Sequence, residues 1–228
     1  MKAKKTFYTE VSYLLGLIIM AFAAAFTEKA DFGMSMVVAP AYILHLEISQ
    51  FLPWFTFGVS EYLFQGFLVL LTVIIMRKVR LLYLFSFVTA VFYGTLLDFA
   101  MGVISPLPDD SFGIRIVWYL LGTVFCSVAV SLFFHTYLAP EAYELIVKEV
   151  SAKTKLDINK VKMAYDCISV VLGIVMSFAF FGFGVFEGVK LGTVICSLIN
   201  GYLISRISKL LEKKFEFKNR LKLEKYLK

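Results

Sequence analysis

Long runs without Asp, Glu, Lys or Arg recur along this chain, at 11–27, 62–76, 81–97, 116–140, 167–186 and 191–205. A helix rises ~1.5 Å per residue and the hydrocarbon core of a bilayer is ~30 Å thick, so about 20 mostly apolar residues make one crossing. Extended to their natural stops, the runs predict spanning helices over about 11–28, 54–76, 81–104, 115–138, 163–184 and 189–208. Composition agrees. The chain is 60% hydrophobic and 18% charged, whereas soluble domains run at roughly 45–50% apolar and about 25% charged. The net charge of +6 does not point to nucleic acid, because the basic residues lie between apolar runs and not on a polar folded surface. Cys126, Cys167 and Cys196 sit inside apolar runs without paired spacing and read as small buried hydrophobes. The expected class is an all-α polytopic membrane protein.

The basic residues orient it. With six spans and the N-terminus inside, one side holds 20 Lys and Arg and the other only Lys29, Arg115 and Lys190. The positive-inside bias therefore places both termini in the cytoplasm. A further apolar segment at 34–46 is too short to cross and carries Pro40 and His45. It reads as re-entrant or interfacial, since a crossing there would flip every later loop. Lysines at 2, 4 and 5 followed by Ala23-Ala24-Ala25 imitate a signal peptide, but Glu10 and five further spans predict an uncleaved first helix.

The chain also repeats itself. Tyr13-Leu14-Leu15-Gly16 recurs as Tyr119-Leu120-Leu121-Gly122, and Ala39-Pro40 recurs as Ala139-Pro140, each opening an amphipathic stretch. Glu61 and Asp166 follow near the start of the next helix, and the third helices align on Gly94 and Gly201. Three helices per half make the halves inverted relative to each other: repeat 1 over about 11–104 and repeat 2 over about 115–208. Each carries a short segment after its first helix, as many secondary transporters do. Residues 209–228, with basic residues among Leu and Phe, read as an amphipathic helix lying on the anionic inner leaflet.

At EKADFGMSMVVAPAYIL, and again from APEAYELIVKEV through GVKLGTVICSLINGYLI, the sequence resembles the YczE/YyaS/YitT family of bacterial integral membrane proteins. The likeness covers most of residues 10–208. The best-matching positions are Gly33, Pro140, Asp166, Gly192, Thr193 and Gly201. After Gly33 the chain departs from the family's pattern, with Pro40 coming late. The resemblance implies fold and a bacterial plasma-membrane location more than chemistry.

Ionisable groups inside a spanning helix cost about 2.5–3.5 kcal/mol on insertion scales, so each needs a reason. Glu61 and Asp98 are expected ~10 Å below the outer boundary at one depth, with Arg115 as a counter-ion, forming a substrate or proton site. Set against this is a structural use, as a buried ion pair or a helix cap. Asp166 near the inner side and Asn200 beside Gly201 are further substrate or ion candidates. Gly33, Pro40, Pro140, Gly192, Thr193 and Gly201 are candidates for gating. His135 and His45 read as interface residues, while Tyr62, Tyr93 and Tyr202 are deep enough to line a cavity. No metal-ligand cluster, cofactor fingerprint, nucleophile triad or phosphate loop is legible, so neither enzyme activity nor a cofactor is expected. The leading expectation is a small secondary transporter of an unidentified molecule or ion. Its partners would be the bilayer and that substrate, with a homo-oligomer or partner subunit next. The alternatives are a substrate-binding subunit of an energy-coupling-factor transporter, pointed to by the Ala21/Ala25 pair, and a non-transport scaffold acting through the basic tail.

Overall fold

The computed structural model describes residues 4–138 and 141–221. It is all-α apart from one short strand pair, in the order β1 (Lys5–Tyr8), α1 (Thr9–Ala30), α2 (Ala39–Ile48), α3 (Phe57–Met76), α4 (Leu81–Ile104), α5 (Phe112–Phe133), α6 (Ala142–Thr154), α7 (Ile158–Phe181), α8 (Leu191–Lys214) and β2 (Phe215–Lys218). Among the described residues, six helices (α1, α3, α4, α5, α7 and α8) are long and apolar enough to cross a membrane. The chain is a polytopic membrane protein.

β1 and β2 pair in parallel, Lys5 opposite Phe215 and Tyr8 opposite Lys218, which ties the two ends of the chain together. We call this the strand end of the bundle and the other the far end. The pairing corrects the expectation of a tail helix over 209–228 as far as it is described: α8 continues to Lys214, the Phe-Glu-Phe-Lys segment then turns extended, and 222–228 lie outside the described residues. Alternating aromatic and charged residues have the period of a strand, and Phe7 packs against both Phe215 and Phe217. Glu10 accepts the backbone N–H groups of Arg220 and Leu221, closing this end.

The centre is the antiparallel crossing of α1 and α5, built on the repeated Tyr-Leu-Leu-Gly. A Cβ on Gly16 would come within 2.6 Å of the Phe133 ring, and one on Gly122 within 2.6 Å of the Thr27 methyl. Gly16 and Gly122 stand 106 positions apart, and so do Thr27 and Phe133. The same offset relates the Ser12–Leu132 hydrogen bond of 2.9 Å to the stack of Trp118 on Phe26. Each contact thus recurs with the partners' roles exchanged, which is what a two-fold axis between antiparallel repeats produces.

The two short helices enter from opposite ends. Residues 31–38 turn inward from the far end of α1, and α2 then runs back outward. Its start, Ala39, lies opposite Gly173 of α7, eight residues or ~12 Å from that helix's far end. Its later part meets Phe55 and Phe57 through His45 and Tyr42. Pro40 occupies the first turn, where a missing N–H leaves no orphan donor. α6 is the counterpart: Ala142 N–H donates to Gln65 midway along α3, and Lys153 reaches the Ile75 carbonyl at the strand end. Arg80 and Tyr83 both hold the buried Glu149 carboxylate, fixing the middle of α6 to α4. The segment expected at 34–46 is therefore a re-entrant half-helix at 39–48. Its counterpart α6, expected like it as a short re-entrant or interfacial segment, also reaches the interior.

The halves are not packed alike. Glycines at 58 and 94 let α3 and α4 touch backbone to backbone, with no room for a Cβ on either. Gly201, aligned with Gly94, has open space around it. α7 and α8 are the least buried spans, and Cys167 on α7 is exposed, contrary to its expected burial.

Candidate functional site

Close approach of α3 to α4 sets the depth of everything on α3. Gly58 lies against Gly94, ten residues short of the end of α4, so Glu61 falls about 20 Å from the far end of that helix. That is close to the middle of the bundle, deeper than the expected ~10 Å. Glu61 is fully buried. Its Oε1 accepts from the Tyr143 hydroxyl at 2.8 Å and from Gln65 Nε2 at 3.4 Å, while its Oε2 has no hydrogen-bond partner.

Glu141, immediately before α6, is the second carboxylate there. Its side chain makes no cap hydrogen bond to its own helix. It is 8% exposed, and its Oε1 also has no hydrogen-bond partner. Burial pushes its pKa up to about 8, with a smaller push from the charge of Glu61 and another from Glu144, opposed by Lys162. The neighbouring Ala142 N–H is taken by Gln65 Oε1, so the start of α6 is clamped on the Glu61–Gln65 turn. Tyr93 of α4 and Tyr165 of α7 lie within electrostatic reach of Glu61. The partial positive charge at a helix N-terminus favours anionic groups, and α6 turns its N-terminus to these two carboxylates. Two buried acids, each with a free oxygen and no direct cation partner among the described residues, form a place for a shared proton or a small cation.

The other sequence candidates lie elsewhere. Asp98 accepts from Thr56 Oγ1 at 2.6 Å and from Gly58 N–H at 2.7 Å, capping the start of α3, so it is turned away from Glu61. Arg115 is not their counter-ion. It pairs with Asp31 at 2.9 Å and donates to the Ala30 carbonyl at the far end. Lys190 joins there between Asp31 and Glu187; burial alone would lower its pKa, but those two carboxylates hold it above the usual lysine range. Asp166 pairs with Lys162 at 3.1 Å, and Lys162 reaches Glu144 at 3.5 Å, one helix face from the central acids. Asn200 bridges α8 to α5, accepting from Ser127 at 2.6 Å and facing Cys126 at 3.6 Å. His135 lies at the strand end, 3.2 Å from Glu212 and stacked on Phe217.

Three of the gating candidates meet. Gly33, with φ of +106°, packs its bare Cα on Thr193, and Gly192 donates its N–H to the Phe32 carbonyl at 2.8 Å. A side chain at Gly33 would be strained in that left-handed conformation and would strike Thr193. Pro40 opens α2, Gly201 faces outward, and Pro140 lies outside the described residues. Sequence reasoning missed Glu141, Gln65 and Tyr143. The available signal was position: Glu141 directly follows Pro140, at the repeat position where Ala41 follows Pro40. Among the described residues, no group of three or more His, Cys, Asp or Glu is arranged to hold a metal ion.

Residues 7–209 match the model of a family of unknown function, DUF6198. No curated protein and no solved structure matches the chain.

Proposed function

The chain belongs to this family of unknown function, and on that footing we propose that it is a proton-coupled secondary transporter of a small molecule or ion. The supporting observation is the convergence of a buried carboxylate from each half, Glu61 and Glu141, each with one oxygen that has no hydrogen-bond partner, at the buried start of a half-helix. An ionisable pair at mid-bundle is costly unless it does something, and exchanging a proton or cation is what such pairs do. α2 and α6, entering from opposite ends, would gate the two sides, and Gly33, Gly192 and Thr193 would form the far-end contact that must open. The unequal packing of α3–α4 and α7–α8 fits halves that exchange conformations about the α1–α5 axis. The resemblance to the YczE/YyaS/YitT proteins and the 20-to-3 distribution of Lys and Arg favour a bacterial plasma membrane with the strand end cytoplasmic.

The energy-coupling-factor reading is weaker, because Ala21 and Ala25 are 1% and 0% exposed. They pack inside the bundle and offer no face to a partner.

Reconstituted vesicles on a solid-supported membrane test the proposal. Amino acids, organic acids, nucleosides and mono- and divalent cations would be applied at about pH 6 and about pH 8, on either side of a carboxylate's accessible range. At least one should evoke a pH-dependent transport current, abolished in Glu61→Gln and Glu141→Gln and retained in Asp98→Asn if its stability allows assembly. A silent panel, or full currents in both Gln variants, would count against it.

A further inference from the structure

A cavity of ≈ 30 Å³ lies between α1, residues 33–38, α4, α5 and α8. At about 10–15 Å³ per probe-sized site, it has room for roughly two water-sized occupants. Its wall is unusual in sulfur: Met20, Met34, Cys126 and Cys196 all line it. Two of the three cysteines in the chain are therefore directed into one small space.

The helices explain why the four converge. Gly122 packs across Ala23 and Thr27, so Cys126, one turn further along antiparallel α5, comes level with the Met20 turn of α1. Cys196 lines the cavity together with Thr123, three residues before Cys126. Asn200, one turn after Cys196, has its Nδ2 3.6 Å from the Cys126 sulfur, so both thiols project from the facing sides of α5 and α8. Met34 closes the other side, its sulfur 3.9 Å from the Thr27 hydroxyl. Cys126 and Cys196 thus line the space from α5 and α8, and Met20 and Met34 from α1 and the segment before α2, with no carboxylate or histidine among the described lining residues.

We propose that this cavity binds a soft monovalent metal ion, Cu(I), through the sulfurs of Met20, Met34, Cys126 and Cys196. Thiol and thioether ligands select Cu(I) over harder cations, and the side-chain oxygens on the wall are the neutral hydroxyls of Thr27, Ser35, Tyr93, Tyr119 and Thr123, with no carboxylate among them to favour Mg²⁺ or Ca²⁺. On binding to a thiol, the S–H bond breaks, an S–Cu bond forms and the proton leaves to solvent; copper stays Cu(I) throughout. The four sulfurs are distinct from the Glu61–Glu141 pair, with Tyr93 between the cavity and those acids, and retention of the ion is read apart from transport.

The test uses the full-length detergent-purified protein with the exposed Cys167 replaced by serine, kept anaerobic. It is titrated with Cu(I) against a chromogenic Cu(I) chelator in excess glutathione. One Cu(I) per chain should be retained, with proton release on binding and an all-sulfur first shell by X-ray absorption. C126S and C196S should each weaken retention by about tenfold or more. M20L and M34L, which keep side-chain volume, should weaken it in the same direction even if a serine variant fails to assemble. Loss of all copper to the chelator, or equal retention in the four variants, would overturn the site. Copper binding without any Cu(I)-evoked current would keep the site and remove copper from the transported substrates.

Discussion

Glu141 is the residue with the sharpest consequence. Burial, and after it the charge of Glu61, moves its pKa from 4.5 to about 8. The folded protein therefore holds a proton that the unfolded chain releases, and between those two values each rise in pH favours unfolding. Thermal unfolding in detergent should show the protein losing stability as pH climbs from about 5 through 8 and levelling off above. Glu141→Gln, which keeps the shape and removes the titration, should flatten that slope and be the more stable protein at alkaline pH; a slope unchanged by the substitution would remove Glu141 from the account. At this scale the sequence was half legible. Glu61 declared itself by standing in an apolar run. Glu141 stands beside Glu144, Lys148 and Glu149 and looks like one charge of a solvated stretch. Asp98 declared itself as loudly as Glu61, yet its carboxylate serves the backbone of Gly58. Only the crossing of α3 on α4 separates the two roles.

At the scale of elements, six spans follow from hydropathy alone, because the bilayer thickness fixes their length. The half-helices do not. Both halves were expected to carry a re-entrant or interfacial segment, but α6 has a charged face, and its buried side becomes visible only when Tyr143 and Glu149 find partners on α3 and α4. The glycines show the same division. Gly94 and Gly201 align in sequence, but only Gly94 has a backbone against it. Gly58→Ala and Gly94→Ala should each force α3 from α4, lowering stability by about 1–3 kcal/mol as overpacking does. Gly201→Ala should be neutral or slightly stabilising, since Ala is the better helix former by roughly 1 kcal/mol. Melting temperatures of the three variants in one detergent check this, and a loss at Gly201 equal to that at Gly58 would mean a hidden neighbour.

Over the whole molecule, the inverted arrangement was readable from Tyr-Leu-Leu-Gly and Ala-Pro, short as they are, because a duplicated contact preserves both of its sides. Gly16 on Phe133 and Gly122 on Thr27 are that preserved contact. The strand pair was not readable, since it joins residues over 200 positions apart. The central claim is that Glu61 and Glu141 form one protonatable site where the half-helix α6 begins. Labelling with a hydrophobic carbodiimide, which reacts with protonated buried carboxyls, followed by peptide mass spectrometry across pH, tests it most directly. Glu141 should be modified at low pH, with labelling that falls away around pH 8. In Glu61→Gln, where the neighbouring negative charge is gone, that fall should move to lower pH. A Glu141 that stays unlabelled at every pH, or a profile that Glu61→Gln leaves in place, would contradict it.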